Sequence, residues 1–292
     1  MNALQSLAAI IISGADAKSF LQGQLSNDLN ILSADTALLA SCNSGQGRVQ
    51  SILTLLERDD GIAAIVPVEM VDLMLPRLRK YILRSKVIVN DGRPSLICCA
   101  ATRAQLEALR LPIPSSPGLH HQIAQTSVVR WWDQKVERYL VLKSPESEVS
   151  AIDDWWLLSD IQAGLPQVLP QTYESYVAQM LNLDVIGGIS FSKGCYTGQE
   201  IIARSHYRGA VKRRMFRLSA NCDAPLPSAR IVTTKNGAHA GDVVMAVGTE
   251  NGCEMLAVLN LSQVNTPLGL ETDSSTTLAL LPLPYDVPTL TT

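Results

Sequence analysis

The stretch "GGISFSKGCYTGQEIIAR", residues 187–204, holds a single cysteine between two glycines, with a lysine two positions before it. Thr197 and Glu200 fit the capping-box spacing, so we expect Thr197 to be the N-cap of a helix that continues along "EIIARSHYR". Cys195 would then lie just before this helix, where exposed amide N–H groups and Lys193 favour a thiolate. A structural turn with an incidental cysteine explains the same residues equally well. The residues alone leave both interpretations open.

Outside this stretch the chain shows two different patterns. Before it, short apolar strand-like runs such as "LAAIIISG" alternate with helical segments, among them "TRAQLEALR" with Thr102 as its N-cap. From about residue 211, short strand-like runs are separated by turn residues, which indicates a small β-barrel or sandwich. We therefore predict an α+β region over residues 1–210 and a C-terminal β domain over residues 211–292.

The composition is that of an ordinary globular protein. Of the 292 residues, 47% are hydrophobic and 17% charged, which excludes a largely disordered chain. The N-terminus lacks the basic start and cleavage site of a signal peptide, and no apolar run of about 18 residues occurs. The six cysteines are scattered, without CxxC or Cys/His ligand spacing. We expect a cytoplasmic protein with reduced thiols, no membrane span and no permanently bound metal.

A local run of positive charge surrounds the end of the predicted helix, although the net charge of the whole chain is only −3. Its cationic residues, opposed only by Glu200, are Lys193, Arg204, Arg208, Lys212, Arg213, Arg214 and Arg217. Such a stripe suits an anionic ligand, such as a polyglutamate tail, a phosphate or an RNA backbone contacted through residues 204–217. The alternative is a solvated face whose aliphatic stems pack on the sheet.

The four tryptophans form two adjacent pairs, at residues 131–132 and 155–156. Neighbouring residues on a helix point about 100° apart, so Trp155 and Trp156 are not expected to enter one core together. One of them could stack on a flat heteroaromatic ring, and the alternative is a partly buried core tryptophan.

The whole chain resembles a known family through several motifs in order: "GADAKSFLQGQLSND", "LLASCNSGQGRVQSILTL", "DIQAGLP", "GGISFSKGCYTGQEIIAR" and "LPLPY". These resemble the YgfZ family of folate-binding proteins, which are related to the aminomethyltransferase (T-protein) of the glycine cleavage system. The resemblance implies a three-lobed ring of two ferredoxin-like α+β lobes, partly interleaved within residues 1–210, and a C-terminal β-barrel. It also implies a central channel that holds tetrahydrofolate or a derivative.

The resemblance implies a function and a set of site residues. Family members support the assembly or repair of certain iron–sulfur proteins, including enzymes that modify tRNA, so the implied partners are folate and iron–sulfur client or assembly proteins. Cys195 takes the place of the family's functional thiol. The family's second folate-associated tryptophan falls on Leu7 by the spacing to "GAD". The predicted folate contacts are Trp156, Lys193, Gln199, Glu200 and Arg204.

A comparison with true aminomethyltransferases bears on the reaction. Those enzymes carry an acidic pair where alignment by eye puts Ser51 and Ile52 in this chain. A hydroxyl and an alkyl group cannot accept a proton at neutral pH. We therefore predict an accessory protein rather than a classical enzyme, with a folate-dependent one-carbon transferase and an RNA-binding module as the alternatives.

Overall fold

The computed structural model describes residues 1–133, 135–145, 153–207 and 211–288, without the side chains of residues 274 and 275. The strands are β1 (Asn2–Ala3), β2 (Leu7–Ser13), β3 (Leu38–Asn43), β4 (Val49–Arg58), β5 (Gly61–Pro67), β6 (Ile88–Asp91), β7 (Ile97–Ala101), β8 (His120–Ile123), β9 (Thr126–Arg130), β10 (Tyr139–Lys143), β11 (Arg213–Ala220), β12 (Arg230–Thr233), β13 (His239–Thr249), β14 (Gly252–Asn260), β15 (Leu268–Leu270) and β16 (Asp273–Leu281). The helices are α1 (Ala17–Gln24), α2 (Val71–Arg79), α3 (Arg103–Ala108), α4 (Asp153–Ala163) and α5 (Gln199–Tyr207). Short 3₁₀ turns cover Leu29–Ile31, Val68–Met70, Pro170–Thr172 and Ala178–Leu181.

Two antiparallel sheets form the α+β part of the molecule. One has the strand order β3-β4-β5-β2-β6 and the other β1-β7-β10-β9-β8. The N-terminal strand β1 pairs with β7 of the second sheet, whereas β2, only four residues later, belongs to the first. The two sheets are therefore interleaved in sequence.

Both faces of each sheet are buried, which explains why the strands appear as continuous apolar runs rather than alternating ones. In β2, Ala8, Ile10 and Ile12 pack with helices α1 and α2. Leu7 and Ala9 point the other way, into a core shared with the second sheet and with Trp156 of α4. In β7, likewise, alternate residues enter the core between the sheets and the core under α3. The predicted Thr102 N-cap of α3 is confirmed, with a complete capping box closed by Gln105.

The C-terminal strands close into a barrel with the order β11-β14-β13-β12-β15-β16, sealed where Arg217 pairs with Leu281. The choice between barrel and sandwich is thus settled, and the predicted fold class is confirmed. The predicted boundary after residue 210 falls among residues outside the described ranges. A further core joins α4, the segment 168–202 and the outer faces of β11, β13 and β14, so the barrel packs tightly on the rest of the chain. Within the described ranges, no helix is long and apolar enough to cross a membrane.

His120 on the edge strand β8 is fully buried, and this burial makes the fold sensitive to acid. Burial lowers the pKa of His120 from 6.5 to about 4, and the nearby His121 and Arg58 act in the same direction. Because the unfolded chain takes up the proton near pH 6.5 and the folded chain only near pH 4, stability is complete above pH 6.5 and falls between these values. The loss is expected to reach about 3 kcal/mol by pH 4.

Urea unfolding at pH 7.5 and pH 4.5 measures this effect. His120→Gln should remove most of the difference between the two pH values. His121→Gln is the matched control, since its half-exposed ring is only a secondary cause of the lowered His120 pKa and most of the difference should remain. An equal pH dependence in the wild type and in His120→Gln would contradict the assignment.

Candidate functional site

Cys195 is the one exposed thiol of the chain. All six cysteines lie within the described residues and none forms a disulfide, and of the other five only Cys222 is even partly exposed. Burial raises the pKa of Cys42 to about 11 and raises that of Cys98 further, so these core thiols are inert at neutral pH. The position of Cys195 therefore has no packing explanation.

Lys193 fixes the start of the loop that carries Cys195. Its ammonium group donates to the carbonyls of Gln22 at 2.7 Å, Leu25 at 2.7 Å and Asn27 at 2.8 Å, at and just beyond the end of α1. The side chain is buried, and burial lowers the pKa of Lys193 to about 8. An ammonium group has three N–H donors, and all three are occupied here. Lys193 thus acts as an anchor, a role that the sequence did not indicate.

The other end of the loop is held by the backbone. The N–H of Thr197 donates to the Gly23 carbonyl at 3.2 Å, and the Tyr196 ring is buried. Gly198 has φ +82°, and a Cβ there would lie 2.4 Å from the Ser44 carbonyl oxygen, so only glycine fits. Cys195 consequently projects from a segment that is fixed on both sides.

The predicted helix exists, but it starts one residue later than expected. α5 begins at Gln199, so Gly198 rather than Thr197 precedes it. The Gln199 side chain turns back and accepts a hydrogen bond from the Tyr196 N–H at 3.3 Å. The close contact of Gly198 with the residue 44–47 turn decides this start, because it sets the backbone conformation that a local capping box would otherwise set.

Glu200 and Arg204 lie on one exposed face of α5. With Ala203 and Tyr207 they line a surface concavity of about 500 Å³. The spacing i, i+3, i+4, i+7 places these four residues in one row along the helix. The structure thus brings Glu200 and Arg204 together beside the Cys195 loop.

Trp156 lies elsewhere, fully buried beside a small internal cavity of about 80 Å³. The cavity is also lined by Leu7, Gln167 and Met245. Leu7, at the position that the resemblance assigns to the family's second folate-associated tryptophan, therefore lines the same cavity as Trp156. Gln167 was missed at the sequence level, where nothing distinguishes it from any other polar residue after a "GLP" turn.

Two buried polar atoms at this cavity have no hydrogen-bond partner within the described residues: Nε1 of Trp156 and Oε1 of Gln167. Buried polar groups are nearly always paired, so an unpaired donor and acceptor beside one cavity are groups that a polar ligand could bind. The lining, mostly apolar walls with one unpaired donor and one unpaired acceptor, suits a flat ring that carries an amide. The volume is below the roughly 300 Å³ of ordinary ligand pockets, so the cavity must widen to admit a whole ring.

A buried ionic network packs against the Trp156 ring. Asp160 accepts hydrogen bonds from Nε1 of Trp131 at 2.8 Å and from the Arg138 guanidinium at 2.6 Å. Arg138 is fully buried and lies over the Trp156 ring, 4.4 Å from its centroid. Burial raises the pKa of Asp160, and the Arg138 guanidinium opposes that rise. The network fixes the orientation of Trp156 without contacting solvent.

The predicted basic stripe is not a free cationic face. Arg213 pairs with Asp242, Arg214 is buried in a double ion pair with Asp184 at 2.7 and 2.9 Å, and Arg217 pairs with Glu254 at 2.7 Å. Arg208 lies outside the described residues. Three cations of the predicted stripe are thus neutralised by acidic residues distant in sequence. The expectation of a continuous anion-binding stripe is therefore corrected.

The remaining predicted features concern catalytic acids and metals. Ser51 and Ile52, at the positions that the alignment by eye assigned to the acidic pair of aminomethyltransferases, are both buried on β4. Within the described part of the chain, no group of three or more His, Cys, Asp or Glu side chains is arranged to hold a metal ion.

Known proteins resemble this chain over most of its length. No family model matches it. The tRNA-modifying protein YgfZ of Yersinia pestis (strain Pestoides F) is 31% identical over 97% of this chain and 92% of its own length. The protein of the same name from Yersinia enterocolitica is 29% identical over the same shares. Among solved structures, glycine cleavage system aminomethyltransferase T from Bartonella henselae superposes with a TM-score of 0.67 over 96% of this chain and 83% of its own, at 13% identity, which is a likeness of fold.

Proposed function

This chain belongs to the YgfZ family, and from that premise we propose that it is a folate-binding accessory protein that supports iron–sulfur enzymes, including enzymes that modify tRNA. Its partners are then a reduced folate and iron–sulfur client or assembly proteins of the cytoplasm. The relatives' name, tRNA-modifying protein, supports the link to tRNA modification.

The observation that carries the proposal is the presentation of Cys195. A cysteine exposed to solvent in a loop anchored by a buried lysine and a backbone hydrogen bond contributes nothing to packing. Cysteine is otherwise among the most buried residue types, because its thiol behaves as a small hydrophobic group. A fixed loop keeps the sulfur accessible and in one place, which suits contact with a partner protein or with a bound group.

Folate is proposed at the cavity beside Trp156. Trp156 and Gln167 would hold the ring through their unpaired Nε1 and Oε1 atoms, with Leu7 and Met245 as apolar walls. A bound tetrahydrofolate supplies a carrier for one-carbon units. Glu200 and Arg204 line a different concavity, so their predicted folate contact, and that of Gln199, has less support than that of Trp156. Lys193 would have to break an anchoring hydrogen bond to reach a ligand.

The first test is functional rescue. In a bacterial strain that lacks its own YgfZ, Cys195→Ser should support the activity of an iron–sulfur tRNA-modifying enzyme no better than an empty vector, whereas the wild-type chain restores it. Cys222→Ser is the control, because it removes a thiol from the barrel and should rescue like the wild type. Full rescue by Cys195→Ser at equal protein level would overturn the proposed thiol role.

The second test is calorimetric titration with 5-formyltetrahydrofolate. Trp156→Phe keeps most of the buried ring and removes Nε1, so the Kd is expected to rise about tenfold through the loss of one buried hydrogen bond. Trp155→Phe is the matched control, since the adjacent ring is 39% exposed and is not among the residues lining the cavity. Absence of binding by the wild type, or equal weakening in both variants, would contradict the placement of folate at this cavity.

A further inference from the structure

Two thiols face each other at one end of the barrel, remote in sequence from the Cys195 loop. The sulfur atoms of Cys222 and Cys253 are 3.9 Å apart, although the residues are 31 positions apart in sequence. Both are unpaired cysteines, Cys253 buried and Cys222 half-exposed. At this separation the sulfurs touch, and nothing lies between them.

The backbone holds one of these residues and leaves the other free to adjust. Cys253 is the second residue of β14 and is paired on both sides, with Ala220 of β11 and with Gly248 of β13. Cys222 follows the end of β11 by two residues and lies in a bend. A disulfide needs a sulfur–sulfur distance of about 2.05 Å, so closure requires a shift of about 1.9 Å, which a bend residue can supply.

We propose that Cys222 and Cys253 are an oxidation site that forms an intramolecular disulfide when a hydroperoxide is present. Cys222 reacts first, because it is the more exposed thiol; burial raises the pKa of Cys253 to about 12 and keeps that thiol protonated. The Cys222 sulfur attacks the peroxide, the O–O bond breaks, and a sulfenic acid and an alcohol (water, from hydrogen peroxide) form. The Cys253 sulfur then attacks the Cys222 sulfur, the S–O bond breaks, and the Cys253 proton passes to the departing hydroxide, which leaves as water. Two thiols are oxidised and one peroxide is reduced.

The position of the bond gives it a structural consequence. It would tie the end of β11 to the start of β14, next to a groove of about 1080 Å³ that Asn221 and Cys253 line together with residues of α4 such as Asp154 and Leu158. The closed loop of 31 residues restricts the unfolded chain, so the oxidised protein should melt roughly 5–10 °C higher than the reduced one. The site is separate from the Cys195 thiol and does not depend on the function proposed above.

Peptide mapping tests the proposal. The full chain with Cys195→Ser, which prevents dimers through the exposed thiol, is reduced, freed of reductant, treated with hydrogen peroxide and alkylated before digestion without reduction. The expected product is a cross-linked peptide pair containing Cys222 and Cys253, about 2 Da lighter than the sum of its thiol forms, together with the rise in melting temperature.

The same treatment of Cys222→Ser supplies the control, in which both the cross-link and the thermal shift should be absent. The proposal is overturned if both thiols of the treated protein remain open to alkylation after denaturation. It is also overturned if Cys222 is recovered only as a sulfinic acid or in a cross-link between molecules. The wild-type peptide map decides the matter even if a serine variant folds poorly.

Discussion

Replacing Lys193 with methionine is expected to lower the free energy of unfolding by about 3–5 kcal/mol. Methionine preserves the length and the apolar stem of the side chain but has no donor. The carbonyls of Gln22, Leu25 and Asn27, which now accept hydrogen bonds of 2.7–2.8 Å, would be left without their ammonium partner. Each unsatisfied buried acceptor costs about 1–3 kcal/mol, and part of that cost is recovered because one charge no longer has to be buried.

Urea unfolding measures the change, with Lys212→Met as the matched control. Lys212 is an exposed lysine near the start of β11 whose replacement should alter stability by no more than about 0.5 kcal/mol. The experiment also separates two roles for Lys193. If Lys193→Met folded as stably as the wild type and yet lost folate binding or rescue, the lysine would be a functional contact and not the anchor of the Cys195 loop.

Asp160→Asn is expected to cost about 3–5 kcal/mol as well, because it removes the charge that compensates a fully buried guanidinium. Asparagine has nearly the same shape as aspartate, so the effect isolates charge from packing. Of its two carboxylate partners, Arg138 would keep only the more distant Asp133, at 3.4 Å from its Nε. Since Arg138 lies over Trp156 and Asp160 also lines the cavity, folate affinity should fall together with stability.

Asp154→Asn on the same helix is the control for this substitution. Asp154 is exposed in the first turn of α4, and its loss should cost less than about 1 kcal/mol. In thermal and urea unfolding, the loss of unfolding free energy should therefore be severalfold larger for Asp160→Asn than for Asp154→Asn. A nearly neutral Asp160→Asn variant would show that the carboxyl is protonated in the folded protein and that the network is held by neutral hydrogen bonds.

Local sequence signals were enough to predict much of the fold. The Thr102 capping box lies within four residues, and the short strands after residue 211 are separated by their own turn residues. The apolar run of β2 is continuous because both faces of its sheet are covered, and this too is visible in the residues themselves. Such signals depend on periodicity and on neighbours along the chain, so they need no knowledge of what packs against them.

The arrangement of the site depends on contacts between residues far apart in sequence, which local sequence patterns do not reveal. The Lys193 anchor joins residues 166–171 positions apart, and Arg214 finds Asp184 from 30 positions away. As a pattern of charges, Lys193 and the arginines of β11 looked like a ligand-binding stripe. In the folded protein they pair with groups of the same chain, because a buried charge is tolerated only when it is paired with hydrogen-bonding groups.

The sequence by itself determined the fold class and the position of the Cys195 motif. Only the tertiary structure decided that Cys195 is exposed, that Leu7 and Trp156 share a cavity, and that Cys222 meets Cys253. The physical reason is range: secondary structure follows from periodicities of two to four residues, whereas burial and pairing follow from contacts that form only when distant segments pack together.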